Sequence, residues 1–372
     1  LVVEIESYRG CHRYRSGGCS YCIEPMKGKP LMRSPDDILA EARKLRDLGI
    51  RNIRIGGQTC IVSYGSEDES EIPRPNPDAL RRLFEGLNAM GFDMIHVDNA
   101  NPAVISRYPE ESEEILRIIA DNCTDGNVLA LGMESADPVV ITENNLNSTS
   151  DQMLDAVRII NRIGAERGPR GMPQLLPGIN IICGLDGETK KTYDLDLDIL
   201  NRIRDEGLII RRINIRQVLP VRREFNVKVD QRRFKRFKEQ VREEIDRTML
   251  ERTVPFGTIL RDVYLELNDG NVTFGRQIGS YPLLIGIPYK LETEQFCDVF
   301  VTEWGFRSIT GITYPFDINH MPMSALEALP GIGSKRATKI VLARPFSSMD
   351  ELAEIVEDPA VIDKIKDAII LG

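Results

Sequence analysis

Six short apolar runs of strand length, separated by stretches with helical apolar spacing, occupy residues 1 to 218, and that alternation admits few folds. The runs are Leu1-Val2-Val3-Glu4-Ile5, Ile50–Ile55, Met94–Val97, Leu129–Ser135, Ile179–Cys183 and Ile213–Val218. Between the first two, Ile38, Leu39, Ala42, Leu45 and Leu48 recur at helical spacing behind Ser34-Pro35-Asp36-Asp37, which reads as a cap, a first-turn proline and two acids at the positive end of a helix. Similar helices are predicted over 78–90, 113–122, 151–163 and 193–204. A helix between two strands returns the chain so that the strands run in parallel, and a parallel sheet wound into a barrel or partial barrel follows. In such barrels the loops at the C-terminal ends of the strands carry the chemistry.

Four of those ends carry candidate functional residues. The first strand leads into Cys11-His12-Arg13-Tyr14-Arg15-Ser16-Gly17-Gly18-Cys19-Ser20-Tyr21-Cys22. Thiolates grouped in one loop suit a soft metal. A structural zinc site is closed by four ligands, which His12 would complete, whereas a four-iron cluster on three cysteines keeps one iron open. The second strand ends in Gly56-Gly57-Gln58-Thr59, the fourth in Glu134-Ser135, and the fifth runs into Gly184-Leu185-Asp186-Gly187-Glu188-Thr189. Taken singly, each is also readable as an ordinary turn or a solvated strand end. Their shared place at one rim points to a site.

On these residues the chain resembles the radical S-adenosylmethionine (SAM) superfamily, in which a cysteine triplet follows the first strand of a partial barrel. Cys19-Ser20-Tyr21-Cys22 matches that pattern, but seven residues separate Cys11 from Cys19 where three are usual. Gly56-Gly57-Gln58 resembles the family's Gly-Gly-Glu turn with Gln58 in place of the acid, and Gly132-Met133-Glu134-Ser135 resembles the fourth-strand segment beside the SAM ribose and carboxylate. Gly184 to Thr189 resembles a turn of methylthiotransferase-like members, with Asp186 replacing a proline. The resemblance implies a [4Fe–4S] cluster on Cys11, Cys19 and Cys22 and a SAM pocket formed with Tyr21, Gly56, Gly57, Gln58, Glu134, Ser135 and Ile182. It implies reduction by a low-potential electron donor, cleavage of SAM and a 5′-deoxyadenosyl radical that takes hydrogen from a substrate. The group most resembled is the radical SAM proteins with a C-terminal helix-hairpin-helix, and more distantly the methylthiotransferases.

The expected fold class is therefore α/β, a partial (β/α)6 radical SAM barrel over 1–220, then a basic helical connector over 221–256, a small β module over 257–314 and a helix-hairpin-helix over 321–372. Short strands and turns such as Asn268-Asp269-Gly270-Asn271 mark the β module, which is similar in position to the RNA-binding TRAM barrel of methylthiotransferases. Pro330-Gly331-Ile332-Gly333 between two helical stretches marks the hairpin, where Gly331, Gly333, Lys335 and Arg336 are candidates for contact with a phosphate.

A net charge of −9 excludes a protein that binds nucleic acid over its whole surface, so any such contact must be local. Arg232, Arg233 and Arg236, interleaved with Phe234 and Phe237, form the second candidate patch; the same pattern fits a solvated helix with buried phenylalanines. The partner expected is a structured RNA, in particular tRNA. A protein or small-molecule substrate with the hairpin as a docking unit is one alternative, and a zinc-containing nucleic-acid-binding protein is another. Seven cysteines, three of them in one loop, fit a reducing compartment, and with no apolar run approaching a membrane span the expected location is the cytoplasm. Of the remaining four, Cys123 and Cys297 read as buried small hydrophobes, while Cys60 and Cys183 follow strand ends near the expected rim. Leu1 stands in place of a methionine, inside the first strand, and an N-terminal domain upstream is expected.

Overall fold

Period-two alternation decides what each strand of the first unit shows to the barrel interior. A computed structural model describes residues 1–372 and divides the chain into two units, the first comprising 1–168, 173–249 and 279–281. Strands β1 (Val3–Glu6), β2 (Asn52–Gly56) and β3 (Met94–Val97) form one parallel sheet, and β4 (Asn127–Glu134), β5 (Leu175–Cys183) and β6 (Arg212–Gln217) form another. A single parallel bridge, Ala100 to Leu131, joins the two sheets. The result is an open barrel with β1 and β6 at its free edges.

Across the strands, Glu4 pairs with Arg54 and Arg54 with His96, while Gly132 pairs with Asn180 and Asn180 with Asn214. Glu4, Arg54, Gly132 and Asn180 line an internal cavity. The residues between them, Ile5, Ile53, Ile55, Leu129, Leu131, Ile179 and Ile181, are buried in the main core. One face of each strand is therefore apolar and covered by helices, and the other is polar and encloses space.

The helices begin where the sequence supplies caps. Ser34 accepts the Asp37 amide at the start of α1 (Pro35–Asp47), and Asn76 accepts the Ala79 amide at α2 (Pro77–Asn88). After β3 the chain forms α3 (Pro102–Arg107) and α4 (Pro109–Asn122), and after β4 it forms α5 (Pro138–Glu143) and α6 (Ser150–Gly164), the last opened by a Thr149–Gln152 capping box. Helix α7 (Lys190–Asp205) follows β5, and α8 (Gln231–Val241) and α9 (Arg247–Thr253) follow β6. Residues 221–249 belong to this first unit, with Phe237, Val241, Ile245 and Met249 buried in its core.

Sequence and structure differ most at β5. The sequence predicts the fifth strand over Ile179–Cys183, yet it starts at Leu175 and runs through Pro177 and Gly178, with Pro177 opposite Leu129 and its carbonyl accepting the Arg211 amide at 2.9 Å. Burial between two neighbouring strands outweighs the local preference.

The second unit holds 169–172, 250–278 and 282–372. Strands β7 (Ile259–Asp269), β8 (Val272–Gln277), β9 (Leu284–Ile287), β10 (Phe296–Trp304) and β11 (Ser308–Tyr314) close into a barrel in the order β8-β9-β11-β10-β7. Every pair is antiparallel except β9 with β11. Helices α10 (Met323–Glu327), α11 (Gly333–Ala343), α12 (Met349–Val356) and α13 (Pro359–Ile365) complete the unit around Leu326, Ile332, Ile340, Leu352 and Ile362. No helix of the chain is long and apolar enough to cross a membrane.

Candidate cofactor site

The loop behind β1 turns back on itself because Gly10, Gly17 and Gly18 adopt left-handed conformations, with φ of 93°, 82° and 58°. The Cys11 amide donates to Gly28 O at 3.2 Å, Cys11 Sγ accepts the Arg13 amide at 3.4 Å, and the Cys22 amide donates to Cys19 O at 3.1 Å. All three thiols reach the wall of one cavity of about 460 Å³ at the barrel mouth, together with Tyr21, Gly57, Gln58 and Glu134. They lie within electrostatic reach of one another, and no three His, Cys, Asp or Glu groups meet closely enough to hold a single ion.

Burial raises the Cys11 and Cys22 thiols above their ordinary range, and burial with the Glu134 carboxylate pushes Cys19 up to about 12. A metal binding there would take the place of the proton on each sulfur and release it to solvent, so the thiols would be thiolates once coordinated. His12 is pushed the other way: burial lowers it to about 4, so its imidazole is neutral near pH 7.

Gly57 has φ +74, and a Cβ there would stand 2.8 Å from Glu6 Cγ. Gly56 is not on the cavity wall; it closes the end of β2, where its carbonyl accepts the Ser7 amide at 3.0 Å. Gln58 is buried, accepting the Ser7 hydroxyl at 3.0 Å and donating to Asp98 O at 2.6 Å, so its amide ties the ends of the three strands of the first sheet together.

Glu134 departs from regular geometry. The register of β4 against β5 shifts between Gly132 and Glu134, and Glu134 takes φ +59, a conformation costly for a residue with a Cβ. Its carboxylate folds back over Gly132, where a Cβ would meet Oε1 at 2.9 Å, and burial lifts it to about 7 while a hydrogen bond from Tyr21 opposes that rise. Ser135 faces away from the cavity and donates to Asp196 at 3.1 Å. Ile182 packs in a small apolar cluster with Val140, Leu146 and Leu185 behind Cys19 and Tyr21, and it does not itself line the cavity.

The cavity floor holds residues that sequence patterns did not single out. Arg54 pairs with Glu4 and stands 3.5 Å from Asp98. Asp98 accepts the Tyr281 hydroxyl at 2.6 Å, and the Arg212 guanidinium lies over the Tyr281 ring at 4.2 Å. Of the other cysteines, Cys60 is buried on the cavity wall and Cys183 is buried away from it.

The candidate nucleic-acid residues fall in two places. On α8, Arg232 and Arg236 are exposed, while Arg233 stands over Tyr193 at 5.9 Å and 3.8 Å from Asp230. In the second unit Gly331 has φ +86 and no room for a Cβ, which would stand 2.4 Å from Val361, so packing against α13 accounts for that glycine. Gly333 and Lys335 are exposed, but Arg336 turns inward to Gly331 O and to Asp358 at 3.2 Å.

Comparison with known proteins adds what geometry alone does not. Residues 5–200 match the radical SAM superfamily. A protein of Methanocaldococcus jannaschii, itself uncharacterised, is 48% identical over 324 residues, covering 84% of this chain and 60% of the relative. The chain thus spans less than two thirds of that relative's length. A tRNA-2-methylthio-N(6)-dimethylallyladenosine synthase of Mycolicibacterium paratuberculosis is 27% identical over 198 residues, covering 52% of this chain and 34% of the synthase. Among solved structures, the radical S-adenosylmethionine methyltransferase TsrM from Kitasatospora setae aligns with TM-score 0.40 and 15% identity over 57% of this chain and 35% of that one.

Proposed function

The chain belongs to the radical SAM superfamily, and from that premise we propose that Cys11, Cys19 and Cys22 hold a [4Fe–4S] cluster, that SAM occupies the adjoining cavity, and that the substrate is a structured RNA such as tRNA. The observation that carries the first two parts is the meeting of three thiols from one loop with Gly57, Gln58 and Glu134 on the wall of one cavity. The donor set fits: three soft sulfur donors from one loop suit an iron–sulfur cluster, and about 460 Å³ is within the range of small-molecule sites.

When bound and reduced, the cluster and SAM supply a 5′-deoxyadenosyl radical, chemistry that belongs to the cofactors. The chain's own residues bind and shield. Gly57 holds a left-handed turn on the cavity wall that a Cβ, pressed against Glu6, would not allow, and Glu134 offers a carboxylate to the hydroxyl or cationic groups of SAM. The apolar cluster of Ile182, Val140, Leu146 and Leu185 covers the flank of the cysteine loop and keeps water from it.

RNA as substrate is supported by the relationship to a tRNA-modifying synthase and by α8, where five cations stand against the single acid Glu239. Anaerobic reconstitution tests the cofactor reading. About four irons per chain are expected, lost with cysteine-to-alanine changes at 11, 19 or 22, together with reductant-dependent release of 5′-deoxyadenosine. Stoichiometric zinc without iron would overturn it.

A further inference from the structure

The stretch between Cys11 and Cys19 holds seven residues, four more than the pattern the rest of the loop matches. Extra chain beside a ligand set costs order unless something holds it. Two side chains distant in sequence do so. Arg222, in the irregular segment after β6, donates through Nη1 to Gly17 O at 2.5 Å, Cys19 O at 3.1 Å and Cys22 O at 3.4 Å. Asn145, in the loop after α5, donates to Gly18 O at 3.0 Å and accepts Arg13 at 2.6 Å, and the same Arg13 guanidinium reaches Cys19 Sγ at 3.5 Å.

Arg222 is itself anchored. Its neighbour Arg223 pairs with Asp186 at 2.8 Å, the Asn226 amide donates to Asp186 at 2.9 Å, and Phe225 packs on the cluster that contains Cys19 and Tyr21. The segment is therefore fixed to the loop after β5 on one side and to the cysteine loop on the other.

We propose that Arg222 is a positioning residue for the cluster: it gathers the carbonyls of Gly17, Cys19 and Cys22 on one guanidinium and so holds the lengthened loop in the shape that presents its thiolates. The inference rests on the cluster reading above. Without the guanidinium, three carbonyl oxygens that converge on one cation repel one another, and the loop opens at its inserted part. A lysine would restore the charge, but its shorter side chain would not carry a nitrogen to the place where Nη1 meets the three carbonyls. The cation beside the loop also favours the more negatively charged, reduced state of the cluster, since nearby charge and hydrogen bonding set the potential.

The test compares wild type, Arg222→Lys and Arg222→Met after anaerobic iron–sulfur reconstitution. Iron content, the rate of cluster loss to a chelator, the midpoint potential and the melting of the apoprotein are measured. Cluster loss should be on the order of ten-fold faster in Arg222→Met, the scale on which outer partners of metal ligands act, and intermediate in Arg222→Lys. The potential should fall in Arg222→Met and be largely kept in Arg222→Lys, while apoprotein melting stays close to wild type. A charge-only role would leave the lysine variant like wild type in both cluster readouts, and a purely structural role would lower melting with no change in potential; either result overturns the assignment. If Arg222→Met does not fold, the chelator rate of Arg222→Lys decides alone. Should wild type itself take up no iron, the cluster reading fails; should wild type load and both variants retain iron equally long, only the role of Arg222 fails.

Discussion

Asp196, on α7, accepts the Ser135 hydroxyl at 3.1 Å beneath the exit of β4. It also accepts the Ala136 amide at 2.6 Å, so one buried carboxylate holds the two residues that follow the strained Glu134. Burial is the largest influence on this acid and lifts it from 3.8 to about 7.

A pH dependence of stability follows. Between pH about 4 and about 7 the folded chain keeps a proton on Asp196 that the unfolded chain releases, so this contribution is full below pH 4 and is lost as pH rises through 7. The loss is on the order of 4 kcal/mol at most. Asp196→Asn should therefore gain stability relative to wild type as pH rises from 4 to 7.5 in denaturant titrations. Taking the difference between the two proteins cancels other groups that titrate in the same window. A difference that does not change with pH would refute the assignment.

Glu134→Gln keeps a hydrogen-bonding side chain at the φ +59 position and removes the charge that burial disfavours. Folding stability should be equal to or above that of wild type. SAM binding should weaken by roughly ten-fold or more, the value of a hydrogen bond to a charged group. Denaturant titration checks the first half and calorimetric titration of SAM into the iron-loaded variant the second, where unchanged affinity would remove Glu134 from the pocket.

Gln58 lines the cavity and at the same time binds Ser7 and Asp98 O through its amide. An acid here would face Asp98 O at the place where the Gln58 amide now donates at 2.6 Å, and the site is buried. Gln58→Glu should cost about 1–3 kcal/mol, the penalty for a buried acceptor that has lost its donor. Chemical denaturation measures it, and a variant as stable as wild type would show that the amide does not tie the strands.

Much of the barrel was legible because its signals are local. Period two in Ile53 and Ile55, the cap at Ser34 and the run of cysteines each sit within a few residues of one another. The braces of the site are not local: Arg222 reaches Gly17 across 205 positions and Arg13 reaches Asn145 across 132. Nothing near Arg222 distinguishes it from a solvated arginine, and nothing near Arg13 names Asn145 as its partner. The basic segment from Arg211 to Lys238 illustrates the same limit. Arg212, Arg222 and Arg223 serve internal contacts, and only the tertiary structure separates them from the exposed Arg232 and Arg236.

That separation sharpens the test of an RNA substrate. Phosphate contacts require cations free to face solvent, and each one that neutralises a phosphate adds close to one unit to the slope of log affinity against log salt. Arg232 and Arg236 are exposed on α8 and Lys335 is exposed on α11, whereas Arg336 is turned to Gly331 O and Asp358 and Lys339 is paired with Glu357 at 2.9 Å. The double variant Arg232→Ala with Arg236→Ala should weaken bulk tRNA binding and lower the salt slope by about two. Lys335→Ala should lower it by about one, and Arg336→Ala should act chiefly by destabilising the turn at Gly331, visible as a lower melting temperature. Reductant-dependent SAM cleavage without RNA should stay at the wild-type rate in the α8 variant, because those two side chains lie off the cavity wall. Filter binding or fluorescence titration at low and physiological salt reads all three. Affinity that is independent of salt, or identical in wild type and the α8 variant, would reject RNA and leave a protein or small molecule as the substrate of the same cavity.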